Sequence, residues 1–407
     1  MNCRHCQTPL RHVFLDLGFA PPSNAYLAED DLRRPEVSYP LKLYVCDHCW
    51  LVQTQDFVAA EQLFTSDYAY FSSTSETWLR HAADYSTMIT RRLGLRPDSL
   101  VIEVAANDGY LLCNFVAAGI PCLGIEPTAA TAAAAKAQGI PVVCDFFSSA
   151  LAQRLAAEEK QAELIVGNNV YAHVPDINDF TRGLKAVLKP GGVITLEFPH
   201  LLRLIEQNQF DTVYHEHFSY LSLHTAQRIF ESQDLRIWDV QEITTHGGSL
   251  RIFGCHAGDA RPTAQAVAEL LDTEQKHGLV SMSTYQSFQA RADRVKNDLL
   301  VYLLNQQQQE RRVAAYGAAA KGNTLLNYAG VKPDLLPYVC DAAIAKQGKY
   351  LPGSHIPIRP PSALHDDPPD EVLILPWNIA EEVQLQLAEL GERGVRFTTA
   401  VPELRSL

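Results

Sequence analysis

No stretch of this 407-residue chain stays apolar for anything near the roughly 18 residues a bilayer crossing needs, so no membrane partner is expected. The segment Met1 to Leu10 is polar and carries cysteines where a secretory leader needs an apolar run, which predicts a cytoplasmic protein. Positive charge is also in short supply. With a formal net charge of -13 the chain lacks the clustered Lys and Arg that neutralise a phosphate backbone, so nucleic acid is not an expected partner. A GxGxxG fingerprint is missing as well: the first turn of the central region reads Val104 to Gly109, with no glycine pattern to cradle a dinucleotide pyrophosphate. Nine cysteines in a reducing compartment are not a disulfide framework and point to metal ligands with scattered buried thiols.

What is present describes a folded chain of two or three domains, with 47% hydrophobic and 20% charged residues. Cys3 and Cys6 form one CxxC knuckle, and Cys46 and Cys49 form a second. Two knuckles presenting four thiolates can enclose one Zn2+ tetrahedrally, a closed structural site with no open position for chemistry. This predicts a zinc-binding domain over 1–62. His5 and His48, inside the knuckles, are expected to lie outside the ligand set. The following segment, Phe64 to Trp78, is crowded with hydroxyls and rings; in an extended chain Tyr68 and Tyr70 point the same way. Its rings suit a domain junction or a substrate-facing wall equally.

From Leu100 the chain alternates short apolar strands with helices, the mark of a parallel sheet covered on both faces. The expected strands are Leu100 to Ala105, Cys122 to Pro127, Pro141 to Phe147, Leu164 to Val170 and Gly192 to Pro199. A hairpin of Leu235 to Ile243 and Ser249 to Cys255 closes the far edge. Ligands bind such sheets at the carboxyl ends of the strands. The polar residues fall there: Glu103 on strand one, Ala105, Asn107, Asp108 and Gly109 in its turn, Glu126 after strand two, Asp145 after strand three, Asn168 and Asn169 after strand four. Glu126 suits ribose hydroxyls and Asp145 an exocyclic amine. Without a pyrophosphate fingerprint, this adenosine-binding layout favours S-adenosylmethionine (SAM) over NAD, in a methyltransferase domain over 63–260.

The last part, 261–407, reads as a polar helical linker ending in Gln306 to Gln309, then four strands of a smaller Rossmann-like domain. Its first turn, Tyr316 to Thr324, places Lys321 and Asn323 in a flexible loop where backbone amides and one cation can hold a diphosphate; close helix packing by Ala and Gly explains the same composition. Between these regions lies Val213 to Ser222, which sets Tyr214, His215, Glu216 and His217 side by side after an apolar strand. A phenol, two imidazoles and a carboxylate suit proton transfer near neutral pH, though the run alone also fits a hydrogen-bonded corner or a metal site.

Taken together, the paired knuckles, Glu103 to Tyr110, Tyr214 to Tyr220, His246 to Arg251 and Tyr316 to Thr324 resemble the SAM-dependent sugar C-methyltransferases, in order and over nearly the whole chain. One departure is Ala105, where many methyltransferases carry glycine, expected to cost little. The resemblance implies a nucleotide-linked 4-keto-deoxysugar substrate, with dTDP as the nucleotide, methylated next to its ketone. It also implies roles: His217 as general base, Glu216 orienting the imidazole or holding the sugar, Tyr214 and His173 donating to the ketone oxygen, and Tyr68 over the same pocket. Tyr70, His246, Lys321 and Asn323 are implied substrate contacts, with Ser354 and His355 weaker ones, and His215 is expected to be structural. An O- or N-methyltransferase acting on another small acceptor, or a non-catalytic zinc-ribbon scaffold, are the rival readings. No motif bears on the oligomeric state.

Overall fold

The computed structural model describes residues 1–55, 57, 72–74 and 76–407. Tyr68 and Tyr70 lie outside the described residues. Three sheets organise the described residues. In the first, β1 (His12–Ala20), β2 (Tyr39–Val45) and β3 (Val52–Thr54) pair antiparallel. Alternate residues of β2, Leu41, Leu43 and Val45, point into the core, as a half-buried strand requires.

The central sheet contains β4 (Val101–Val104), β5 (Cys122–Ile125), β6 (Val142–Val143), β7 (Ala162–Asn168) and β8 (Leu188–Pro199), all parallel. After β8 the chain leaves to form β9 (Ser219–Tyr220), then returns as the hairpin β10 (Leu235–Ile243) and β11 (Ser249–His256). The order is β10-β11-β8-β7-β4-β5-β6, so the expected hairpin does close one edge. Every residue of β4 and β5 is buried, because helices cover both faces. Helix Ile177–Val187 shows how: Asp176 caps its start by accepting from the Asp179 amide at 2.9 Å, and Ile177, Phe180, Leu184 and Val187 bury one stripe.

The third sheet, β12 (Val313–Tyr316), β13 (Val339–Cys340), β14 (Ile358–Arg359), β15 (Glu371–Ile374), β16 (Arg396–Thr399) and β17 (Arg405–Ser406), has the order β14-β13-β12-β15-β16-β17. Its first five strands are parallel, and this is the doubly wound Rossmann order. The two-residue strands β14 and β17 carry too little pattern to be read from sequence. The expected helical linker is present as Gln265–Lys276, Met282–Gln286 and Phe288–Gln308.

Two expectations are corrected. Only Val142 and Val143 of the segment Pro141 to Phe147 form a strand; the chain turns away at Cys144, and Asp145 is exposed, capping the Phe146 amide instead of closing a strand. The sheets also do not divide the chain into consecutive blocks. The fourth strand of the N-terminal sheet is β9, paired with β3 through Val52↔Tyr220 and Gln53↔Ser219. Phe14 on β1 stacks on Phe288 of the long C-terminal helix at 4.8 Å, so one core joins the first and last thirds.

Candidate active site

The knuckles come together. The four sulfurs of Cys3, Cys6, Cys46 and Cys49 lie within 4.8 Å of one another, with Cys3–Cys49 and Cys6–Cys46 both at 3.5 Å. A tetrahedral Zn–S4 centre has edges of about 3.8 Å, so the donor set fits zinc with no position left for a reactant. The first knuckle also docks on the start of helix Ile177–Val187 and on β3: Arg4 donates from Nη1 to the Pro175 carbonyl at 2.6 Å and from Nη2 to Thr54 O at 3.1 Å, and the His5 ring meets Asn178 at 2.8 Å.

At the carboxyl end of β4 three alternate residues shape a tight turn, with Ala105, Asn107 and Gly109 all left-handed at φ 59°, 49° and 84°. Ala105 therefore pays a conformational cost that glycine would not, which corrects the expectation that the substitution is nearly free. The turn is held from two sides. Asn107 and Asp108 accept from the amides of Ser72 and Ser73 at 3.0 and 3.1 Å, and the Asn107 amide donates to Glu126 at 3.0 Å. Glu126 also accepts from the Thr128 amide and the Thr131 hydroxyl, so three protein donors occupy the carboxylate expected to meet a ribose. Glu103 is buried with one oxygen unpartnered, and burial, with Glu126 and Asp108 nearby, raises its pKa well above the carboxylate range. One oxygen of Asp108 and both amide atoms of Asn168 are likewise buried without partners. Orphaned acceptors and a donor around a backbone-rich turn fit the amine and carboxylate of an amino-acid sulfonium.

Asn169, also left-handed, donates its amide to the Glu197 carbonyl at 2.8 Å and meets His246 Nε2 at 3.4 Å. His246 lies against Trp78, which stacks on His81. Beneath them is an ion network that sequence reading missed. Glu197, at the end of β8, binds Arg251 Nε at 2.6 Å and the His81 ring at 2.9 Å. Burial alone would raise its pKa, but His81 and Arg251 outweigh that and lower it.

The Tyr214 to Tyr220 run crosses from this sheet to the N-terminal one. Phe218 donates its amide to Ala172 O at 2.8 Å, and Thr54 donates its own to Phe218 O at 3.2 Å. This places the His217 ring 4.5 Å from that of His173 and 4.0 Å from that of Tyr214. His217 Nδ1 lies 3.1 Å from the Thr212 carbonyl, and His173 Nδ1 lies 2.7 Å from the Glu216 carbonyl. Carbonyls only accept, so each Nδ1 carries its proton and each neutral ring keeps its lone pair on Nε2. Burial holds both rings below the ordinary imidazole range, His173 at about 4 and His217 well below 6.5, the latter with His173 adding to the effect.

Two expected roles change with this geometry. With its Nδ1–H committed to the Glu216 carbonyl, a neutral His173 ring has an acceptor at its other nitrogen, which does not suit donation to a ketone oxygen. The group orienting His217 is the Thr212 carbonyl; the Glu216 carboxylate instead accepts from Ser23 Oγ at 3.3 Å and Asn24 Nδ2 at 3.2 Å. His215 packs edge-on to Tyr39, away from that pair.

The C-terminal domain reaches the same place. Asn323, fully buried, donates to Ser23 O at 2.6 Å, and Thr324 donates to Val213 O at 2.8 Å. Lys321 bonds Asn378 at 2.9 Å and lies over the Trp377 ring; burial lowers its pKa to about 8, with Asp211 acting in the other direction. Lys321 is near enough to affect His217 and His246 electrostatically. His355, by contrast, is a surface residue bonded to Glu36 at 2.9 Å, while Ser354 is buried. Thr212 and Asp211 sit directly upstream of the histidine run, but a backbone carbonyl and a lone acid leave no sequence signature.

Family models agree with this arrangement. A zinc-binding domain model matches residues 3–64, a methyltransferase domain model 78–240, and a C-methyltransferase C-terminal domain model 244–402. The C-methyltransferase NovU of Streptomyces niveus is 34% identical over 404 residues, covering 99% of this chain and 96% of that one. Among solved structures, a SAM-dependent methyltransferase from Clostridium acetobutylicum is 11% identical, with TM-score 0.36 over 44% of this chain and 92% of its own. The SAM-bound magnesium protoporphyrin IX methyltransferase of Synechocystis is 12% identical, with TM-score 0.34 over 44% of this chain and 81% of its own. On the strength of the full-length relative and the family models, the chain belongs to the family its motifs resemble, the SAM-dependent sugar C-methyltransferases with an N-terminal zinc-binding domain.

Proposed function

We propose that the protein methylates a carbon next to the ketone of a nucleotide-linked 4-keto-deoxysugar, with dTDP as the nucleotide, in branched-sugar biosynthesis. The observation that carries this reading is the buried His217 ring, whose Nδ1–H is committed to Thr212 and whose Nε2 lone pair is the basic atom. SAM, when bound, supplies the electrophilic methyl group. Around it, Glu103, Asn107, Asp108 and Asn168 are the residues this chain offers for its polar groups.

His217 takes the hydrogen alpha to the ketone, as a neutral base whose depressed pKa keeps it unprotonated at pH 7. Tyr214, against the His217 ring, donates to the oxygen where enolate charge develops. His173 contributes a second acceptor for a sugar hydroxyl. Glu216 holds the loop and the sugar from the N-terminal side. Lys321 and Asn323 meet the nucleotide portion from the C-terminal domain, and His246, beside Asn169 and Trp78, contacts the substrate.

Incubation of a dTDP-4-keto-6-deoxysugar with enzyme and SAM, read by mass spectrometry and NMR, tests the reaction. A methyl group on carbon supports the proposal; a methyl group on oxygen supports the O-methyltransferase reading, which a neutral imidazole also serves. In deuterium oxide the wild type should exchange the alpha hydrogen. His217→Ala should slow that exchange by about 10²- to 10⁴-fold, and exchange at the native rate would remove His217 as the base.

A further inference from the structure

The 3-10 turn Phe210–Thr212, which ends in the carbonyl that holds His217, is gripped from the C-terminal domain. Trp377 Nε1 donates to Asp211 Oδ2 at 2.8 Å. Phe210 packs edge-on to Tyr328 at 5.7 Å, and Thr324 binds the carbonyl of Val213, the next residue along. Below the turn, Gln209 Nε2 donates to the Gly247 carbonyl at 2.7 Å, and a Cβ at Gly247 would run into the Trp377 ring. Trp377 therefore touches both the turn that aims the base and the turn that carries His246.

Asp211 is unusual for a purely structural anchor. It is fully buried, and its second oxygen has no partner. A buried carboxylate with one oxygen unsatisfied costs stability, and an apolar residue would fill the space more cheaply. Its side-chain partner is the indole N–H, the backbone amides of Asp211 and Thr212 also favour its charged form, and Lys321 is the cation acting on it at longer range.

We propose that Trp377 and Asp211 are positioning residues for the base: the indole of the C-terminal domain fixes Asp211, and with it the Thr212 carbonyl that selects the Nδ1–H tautomer and aims Nε2 of His217. Base orientation is then conferred by a domain that contributes nothing to the SAM sheet. The inference rests on His217 acting as base for its kinetic consequence, while its structural part stands independently of the reaction.

Three variants test it in the full-length, zinc-loaded protein. Trp377→Phe keeps the ring and removes the donor. Asp211→Asn keeps an acceptor for the indole, and Asp211→Ala removes it. Histidine-selective 15N NMR reads the His217 tautomer without substrate. The wild type should show Nδ1–H, Trp377→Phe and Asp211→Ala a mixture of tautomers, and Asp211→Asn the wild-type form. In turnover, Trp377→Phe should lose about tenfold in kcat with KM for SAM unchanged, and Asp211→Asn should lose less than Asp211→Ala. An unaltered tautomer in Trp377→Phe would overturn the inference, as would equal losses in Asp211→Asn and Asp211→Ala. If the wild type shows no alpha-hydrogen exchange, the functional reading fails, and the tautomer measurement still decides this one.

Discussion

His217 is held by the carbonyl of Thr212, five residues upstream, at 3.1 Å, and not by the carboxylate of its neighbour Glu216. The donor-acceptor logic of that contact fixes which nitrogen is basic. A carboxylate partner would stabilise the imidazolium; a carbonyl does so less, and burial keeps the ring neutral.

The pH dependence follows with a definite sign. Because His217 must be neutral to accept a proton and its pKa is lowered, the acid limb of the kcat profile should fall below the ordinary imidazole value of 6.5. Stability moves in the same range. His173 and His246 drop from 6.5 to about 4 on folding, so the unfolded chain binds protons first as pH falls. Their contribution is fully present above pH 6.5 and is lost between 6.5 and 4, by no more than about 3 kcal/mol each. Denaturant titrations at pH 7.5 and 5 check this; equal midpoints would contradict it.

Removal of zinc should abolish turnover while leaving SAM binding nearly intact. A zinc ion on the four cysteines would tie the knuckle between β2 and β3 to the one ahead of β1, in the sheet to which β9 belongs, and Arg4 ties the first knuckle to the Pro175 carbonyl near His173. The SAM turn is built on β4 and β5, outside that sheet. Chelation or Cys46→Ser, followed by calorimetry with SAM and by activity, separates the two. Loss of SAM binding in step with activity would show that the zinc domain supports the central sheet as well.

Ala105→Gly should raise stability by about 1 kcal/mol, since the residue is left-handed at φ 59°. SAM affinity should change little, because the backbone already has the conformation glycine prefers. A lower unfolding midpoint in the variant would show that the Ala105 methyl contributes more by packing than its strain costs.

Arg251→Met should cost about 3 kcal/mol, because it leaves the buried carboxylate of Glu197 with the His81 ring as its remaining side-chain partner. The double variant with Glu197→Gln should recover part of that loss. Thermal unfolding of the single and double variants measures the coupling directly.

Much of the architecture was legible because the signals are local. Paired CxxC spacing marks a tetrahedral thiolate site, apolar runs alternating with helices mark a parallel sheet, and the polar residues at its carboxyl edge mark a ligand site. The sequence therefore determined the four clustered cysteines and the central and C-terminal sheets. It missed the shortness of β6 because an edge strand needs few residues, and the short β14 and β17 for the same reason.

Only the tertiary structure decided what each polar group faces. A hydrogen bond depends on direction as well as proximity, and the partners here are distant in sequence: Ser23 for Glu216, Arg251 for Glu197, Trp377 for Asp211. The histidine run is a turn that leads into β9 of the N-terminal sheet, tied to the Ala172 carbonyl beyond β7 and steadied by the C-terminal domain. Composition brought the phenol, the imidazoles and the carboxylate together, but the fold determined the partner of each: the Thr212 carbonyl for His217, and Ser23 and Asn24 for the Glu216 carboxylate.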